Sequence, residues 1–163
     1  MRPKREKYIS LQVLEEIRGR VMKYSASGEG RTSMSRQPKQ VHVYLYRKVN
    51  NGYEYAMFQR RDNPLWWQGI CGGVEGEETL EEAAVRETYE EAGIADKSTL
   101  FRLDTMSYLP ISIFNKKTQR TWGRDVVVVP MFFFAIPYSG DIKLSHEHTE
   151  VRSQVGTCHH SYY

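Results

Sequence analysis

Between Gly72 and Ile94 the chain carries eight carboxylates, Glu75, Glu77, Glu78, Glu81, Glu82, Glu87, Glu90 and Glu91, against a single base, Arg86. The rest of the chain holds 22 of the 23 lysines and arginines, so a stretch of about −7 sits inside a protein of net charge +3. Acid packed this densely is costly to fold unless something positive lies on it, and hard divalent cations with oxygen ligands suit that need. Thr79 to Ala92 contains neither proline nor glycine and is rich in Glu and Ala, which predicts a helix stopped by Gly93. At about 100° per residue, Glu87, Glu90 and Glu91 share an arc of roughly 100°. Val85, Thr88, Tyr89 and Ala92 point the other way, toward an expected core. Mg²⁺, or Mn²⁺ in its place, would relieve the repulsion among the three glutamates.

A solvated charged helix is the plain alternative for any Glu-rich segment. The full register argues against it: Gly72, five residues, Glu78, seven residues, Arg86-Glu87, then Glu90-Glu91 and Gly93-Ile94. This register resembles the box of the Nudix hydrolases, enzymes that cleave a nucleoside diphosphate linked to another group. Two positions depart from the usual pattern: Thr88 stands where an aliphatic residue is common, and Glu77 where many members have glycine. The lead-in from Gln59 to Glu75, with Arg60-Arg61-Asp62 and Trp67-Gln68, resembles the dihydroneopterin triphosphate diphosphatase branch. Leu144-Ser145-His146-Glu147-His148 resembles a later Glu-His segment of that branch.

The resemblance implies an α/β fold, the Nudix α/β/α sandwich with a mixed sheet. It also implies roles for single residues. Gly72, Glu87, Glu90 and Glu91 are expected to hold the metal, with Glu91 most central, and Gly73 lets the backbone approach. Glu78 acts through water or charge, and Arg86 orients a glutamate by an ion pair. The general base is expected outside the box, at Glu147, with Glu150 as runner-up; a surface carboxylate is the plain alternative for either. Arg60 and Arg61 sit at a strand end, where forked donors suit phosphate. Strand alternation sends them to opposite faces, so only one is expected to bind substrate, and Arg60 is preferred. Trp67, or Trp66, could stack on a purine or pterin ring, and core packing competes for one of them. The expected reaction is water attack at phosphorus, releasing pyrophosphate from a nucleoside or pterin triphosphate. An ADP-sugar or dinucleotide polyphosphate pyrophosphatase and a non-catalytic nucleotide sensor are the rivals.

Elements must bring these residues together. Val41 to Tyr46 and Tyr53 to Phe58 flank Asn50-Asn51-Gly52 and predict a hairpin. Arg61 to Gly73 reads as a loop leading through a short apolar piece to the box. Thr99 to Leu109 and Asp125 to Ile136 read as strands, the second nearly all apolar and therefore central, with Pro130 marking a bulge. Upstream, Ile9, Val13, Ile17 and Val21 recur at helical spacing, so residues 1–24 are expected to contain an amphipathic helix that packs on the domain or on a partner subunit. Residues 25–39 read as a linker, 40–152 as the Nudix domain and 153–163 as an irregular tail. Relatives continue into a further helix there, so apolar surface is expected to be left uncovered.

At 163 residues and 40% hydrophobic, the sequence suits one domain with a substantial core. No apolar run approaches the ~20 residues that span a bilayer, and no secretory leader is apparent, so the protein is expected to be cytoplasmic, off the membrane, with Cys71 and Cys158 as reduced thiols. Basic residues are too dispersed to suggest nucleic-acid binding. The expected partner is a small organic di- or triphosphate, and a homodimer is allowed. His146, His148, Cys158, His159 and His160 match no structural zinc spacing and are set aside as metal ligands.

Overall fold

The computed structural model describes residues 36–50, 52–94 and 100–156. The expected N-terminal helix and the last seven residues, with Cys158, His159 and His160, lie outside them. Seven strands form one mixed sheet. Strand β1 (Arg36–Val49) and β2 (Gly52–Arg60) make the predicted hairpin, with Val49 opposite Gly52. β1 starts inside the segment read as a linker, so residues 36–39 belong to the domain.

The two arms of the hairpin then diverge, and the following chain fills the fork. β3 (Trp67–Gln68) pairs with β2, and β4 (Ile70–Glu75) pairs with β1, Val41 facing Gly72 and Gln40 facing Gly73. The expected loop from Arg61 to Gly73 is thus a loop only as far as Trp66. Strand identity was hidden there by Gly69, Gly72 and Gly73, which usually weaken a strand and here mark close backbone approach. A Cβ on Gly72 would lie 1.8 Å from the Glu87 carboxyl carbon, and one on Gly73 would lie 2.1 Å from Arg36 Nε.

Helix α1 (Leu80–Ala92) follows, capped as its sequence predicts. Thr79 Oγ1 accepts from Glu82 N–H at 3.1 Å while Glu82 accepts from Thr79 N–H at 2.7 Å, a reciprocal capping box. Gly93 closes the helix at φ 67°, donating to Tyr89 O. Both departures from the box pattern have a local explanation. Thr88 is buried, but its hydroxyl donates to Ala84 O at 2.7 Å, so no polar group is left unsatisfied. The left-handed position in the turn before the helix is filled by Gly76, φ 53°, which frees Glu77 to be an ordinary residue.

Beyond α1, β5 (Phe101–Pro110) is a sheet edge and β6 (Val128–Pro137) lies between it and β1, parallel to β1. The central placement of the apolar strand is as expected. The bulge is not: Pro130 stands in register opposite Tyr108, and the irregularity falls in β5 between Arg102 and Met106. A one-turn 3₁₀ segment (Ile111–Ile113) and a short helix α2 (Lys116–Trp122) connect these strands. Asn115 caps α2, and Trp122 donates its indole N–H to Arg36 O at 2.5 Å, tying the connection to the start of β1.

Strand β7 (His148–Gly156) closes the sheet against β2, so residues 153–156 are strand rather than irregular tail. The core joins alternate residues of β1 (Val41, Val43, Leu45), β2 (Ala56, Phe58) and β6 (Phe134, Ile136) to Ile70 and Val74 of β4 and to Ala83, Ala84 and Ala92 of α1. Glu91 shares the buried side of α1 with Thr88 and Ala92, whereas Val85 and Tyr89 are only half-buried. The helix is therefore rotated so that one carboxylate enters the core side. Among the described residues no helix is long and apolar enough to cross a membrane.

Candidate active site

Two clusters are built around α1. In the first, Arg86 gathers the acids of the box. Its Nε and Nη2 donate to the two oxygens of Glu78 at 3.1 and 2.7 Å, Nη2 also donates to Gly73 O at 2.8 Å, and Nη1 reaches Glu87 at 2.8 Å and Glu90 at 3.3 Å. Glu78 in turn accepts from Glu75 N–H at 2.7 Å. One guanidinium thus fastens the pre-helix turn and strand β4 to the helix, the use for which a planar fork is suited. Burial alone would lower the Arg86 pKa, but the Glu78 hydrogen bond and the charges of Glu87 and Glu78 drive it upward. The structure brings Glu78, Arg86, Glu87 and Gly72 together, while Glu90 swings out, its side chain 52% exposed.

The second cluster is a buried pair with no local signal in the sequence. Glu91, 3% exposed, meets His148 Nε2 at 2.6 Å across 57 residues of chain. Burial raises the Glu91 pKa, opposed by the His148 hydrogen bond and charge and by a hydrogen bond from the Cys71 backbone. Cys71 itself is pushed up to about 12 by burial and then by Glu91 and Glu87, so its thiol stays protonated and unreactive. In the sequence His148 belongs to a Glu-His pair and to the histidines set aside as zinc ligands; the strand register of β7 on β2 is what carries it to α1.

Beside this pair lies a cavity of about 310 Å³ lined by Arg60, Arg61, Asp62, Gln68, Cys71, His146, Glu147 and His148. His148, one of its lining residues, is the partner of Glu91. Glu147 is exposed in the turn before β7 and lines the cavity, whereas Glu150 is drawn into a forked pair with Arg152 at 2.7 and 3.1 Å and does not. Arg60 and Arg61 line the same cavity, contrary to the alternation argument, because β2 ends at Arg60 and the chain turns there. Their work differs. Arg60 Nε holds Asp62 at 2.7 Å at the rim, while Arg61 donates to His146 O at 2.6 Å and His148 O at 3.1 Å and so braces the backbone. Neither Trp66 nor Trp67 lines the cavity; the Arg152 guanidinium lies over the Trp67 ring at 4.5 Å and that of Arg60 over the Trp66 ring at 5.8 Å, with Trp66 60% exposed.

The donors of the first cluster are all oxygens, as a hard divalent cation requires. Only glycine at position 72 leaves room for the Glu87 carboxyl against the strand. Burial raises Glu87 to about 7; Arg86 opposes this, and Glu91 and Glu90 add to it, so a cation that replaced lost solvation would favour the ionised form. Among the described residues no three His, Cys, Asp or Glu side chains already form a cage, since Glu87 leans on Arg86 and Glu91 on His148. The chemistry of the set fits a cation, with side-chain rearrangement on binding.

The raised Glu87 pKa has a testable consequence. An acid whose pKa rises from 4.5 to about 7 on folding contributes stability below the lower value and loses it as pH climbs through the upper one. In EDTA, the melting temperature of Glu87→Gln relative to wild type should therefore increase between pH 4.5 and 7 and level off above that range. A difference that stays flat across the window would contradict this account.

Comparison with known domain families matches residues 36–155 to the NUDIX domain. The chain belongs to the Nudix family. Dihydroneopterin triphosphate diphosphatase of Escherichia coli is 34% identical over 88 residues, a match spanning 52% of this chain and 56% of that enzyme, or about half of each. The solved E. coli dihydroneopterin triphosphate pyrophosphohydrolase superposes with a TM-score of 0.58 at 26% identity over 73% of this chain and 81% of that one. A NUDIX hydrolase from Listeria monocytogenes gives 0.61 at 32% identity, covering 74% and 78%. An RNA pyrophosphohydrolase from Shewanella is 41% identical over 61 residues, 37% of this chain and 35% of the relative. The α/β Nudix fold expected from the box is the fold observed, as a mixed sheet with two helices among the described residues.

Proposed function

We propose that this Nudix domain is a divalent-metal-dependent pyrophosphohydrolase that splits a small organic triphosphate into monophosphate and pyrophosphate. The observation that carries the reading is the packing of Glu87 against Gly72 and Arg86, with Glu91 of the same helix paired to His148, a residue that lines the cavity together with Arg60, Arg61 and Glu147. The E. coli relative named for dihydroneopterin triphosphate supports a pterin triphosphate as first candidate, with nucleoside triphosphates next.

Gly72 O, Glu87, Glu90 and Glu91 would hold the cation, Mg²⁺ or Mn²⁺, which when bound supplies charge neutralisation at the phosphate oxygens and a more acidic water. The chain's own residues do the rest. Arg86 keeps Glu87 and Glu78 in place. Arg60 presents its guanidinium to a phosphate oxygen once it exchanges Asp62 for substrate. Glu147 accepts the proton of the attacking water. Trp66, the more exposed of the two indoles, offers a ring face to a planar substrate. On this reading the protein acts in the cytoplasm on a free small molecule, not on nucleic acid or membrane, alone or as a homodimer.

The test is product release from a panel of triphosphates, ADP-ribose and dinucleotide polyphosphates with Mg²⁺ and with EDTA, phosphate being read with and without inorganic pyrophosphatase. Signal that needs the coupling enzyme, a triphosphate and Mg²⁺ is the expected outcome. Silence across the panel from folded protein that still binds nucleotide would instead make it a sensor.

A further inference from the structure

We propose that His148 is a positioning residue that, braced by Arg61, fixes the Glu91 carboxylate for cation binding; this rests on the assignment of Glu91 as a metal ligand. Three sets of contacts lead there. The first is the pair itself. With Glu91 ionised, as cation binding requires, its carboxylate has only lone pairs to offer, and His148 Nε2–H is then the donor in the 2.6 Å contact. The contact ties the carboxylate of α1 to the first residue of β7 and leaves the rest of its roughly four lone-pair sites for a cation.

The second set holds the Glu91 main chain to the same segment that carries His148. Lys143 N–H donates to Ala92 O at 2.9 Å and Ser145 N–H to Glu91 O at 3.1 Å, satisfying carbonyls at the end of α1 that the helix leaves open. Residues 143–148 therefore grip Glu91 at both its backbone and its side chain. The third set makes that segment stiff. Arg61 N–H donates to Glu147 O at 2.9 Å, and its guanidinium donates to His146 O and His148 O. The Phe58 ring packs on the His148 ring with centroids 5.1 Å apart.

A histidine needed only for packing would not require a carboxylate beneath it, and a carboxylate needed only for stability would not be buried. The pairing makes sense when the carboxylate must stay on the core side of α1, ionised and in one rotamer. Outer partners of metal ligands commonly contribute 10–100-fold to affinity in this way.

The experiment is titration of the full chain, free of substrate, with Mn²⁺ by electron paramagnetic resonance, alongside melting curves in EDTA. His148→Phe keeps the ring volume and removes the donor; its Mn²⁺ affinity should fall about tenfold or more. His148→Gln, which returns an N–H, should recover most of that loss. Arg61→Met, at an exposed position, should weaken binding in the same direction, which keeps the test decisive if the Phe variant does not fold. Wild-type affinity in Arg61→Met and in any folded His148→Phe, with affinity lost in Glu91→Gln, overturns the positioning role alone. Undiminished affinity in Glu91→Gln overturns the ligand assignment on which it rests.

Discussion

Glu91→Gln is expected to lower kcat for triphosphate cleavage by ~10²-fold or more, the usual scale for removing one charge aimed at a developing transition state. The substitution is nearly isosteric, so the loss would be electrostatic. Glu91 is 3% exposed, leaving little water to replace the missing charge, and a glutamine there would put an NH₂ where one of the carboxylate oxygens now lies, beside His148 Nε2 or toward the cation. Glu87→Gln should behave alike, because Glu87 is held against Gly72 with only 12% of its side chain exposed. Glu90→Gln should cost distinctly less, since that side chain is half in solvent and touches the cluster only through a 3.3 Å contact with Arg86. Steady-state pyrophosphate release at saturating Mg²⁺ measures all three. A fall below roughly threefold in both Glu87→Gln and Glu91→Gln would remove the interaction from the transition state and with it the ligand set.

This ordering of the three glutamates could not be read from their spacing. Spacing put them on one face, and that is correct as geometry of an isolated helix. What spacing lacks is the rotation of the helix against the sheet, fixed here by Ala83, Ala84, Thr88 and Ala92 packing under β1 and β4. Elements whose cause is local were legible: Thr79 and Glu82 cap α1, Gly93 ends it, and the turn residues around Asn50 join β1 to β2. Features whose cause is pairing were not. Ile70–Glu75 is a strand because a fork in the hairpin accepts it, despite its glycines. Pro130 stays in register because the edge strand beside it absorbs the irregularity instead. Arg60 and Arg61 share a cavity because the strand stops between them. The Glu91–His148 contact needs the register of β7, which only the folded sheet specifies.

Arg86→Met should destabilise the domain by about 3 kcal/mol, near the low end for breaking a buried ion pair, because the partners keep a little solvent. Arg86, Glu78 and Glu87 have side chains only 14%, 14% and 12% exposed. Methionine can fill much of the space of the stem, so the cost would come from what is stranded. Glu78 would keep the Glu75 N–H and lose both guanidinium bonds, Glu87 would lose its cation, and Gly73 O would lose a donor. The turn before α1 would also lose the guanidinium that fastens Glu78 to the helix, so fraying should begin at that end of the helix. Arg86→Lys should recover only part of the loss, since one ammonium cannot bridge Glu78, Glu87 and Gly73 O as the fork does. Urea unfolding in EDTA gives the magnitude; a change under about 1 kcal/mol would mean the cluster behaves like a surface network. Repeating the melts with Mg²⁺ adds a second constraint. With the internal cation gone, Glu87 and Glu90 have more to gain from an external one, so added Mg²⁺ should raise the melting temperature of Arg86→Met more than that of wild type. An equal shift in both proteins would place the cation away from the Arg86 cluster.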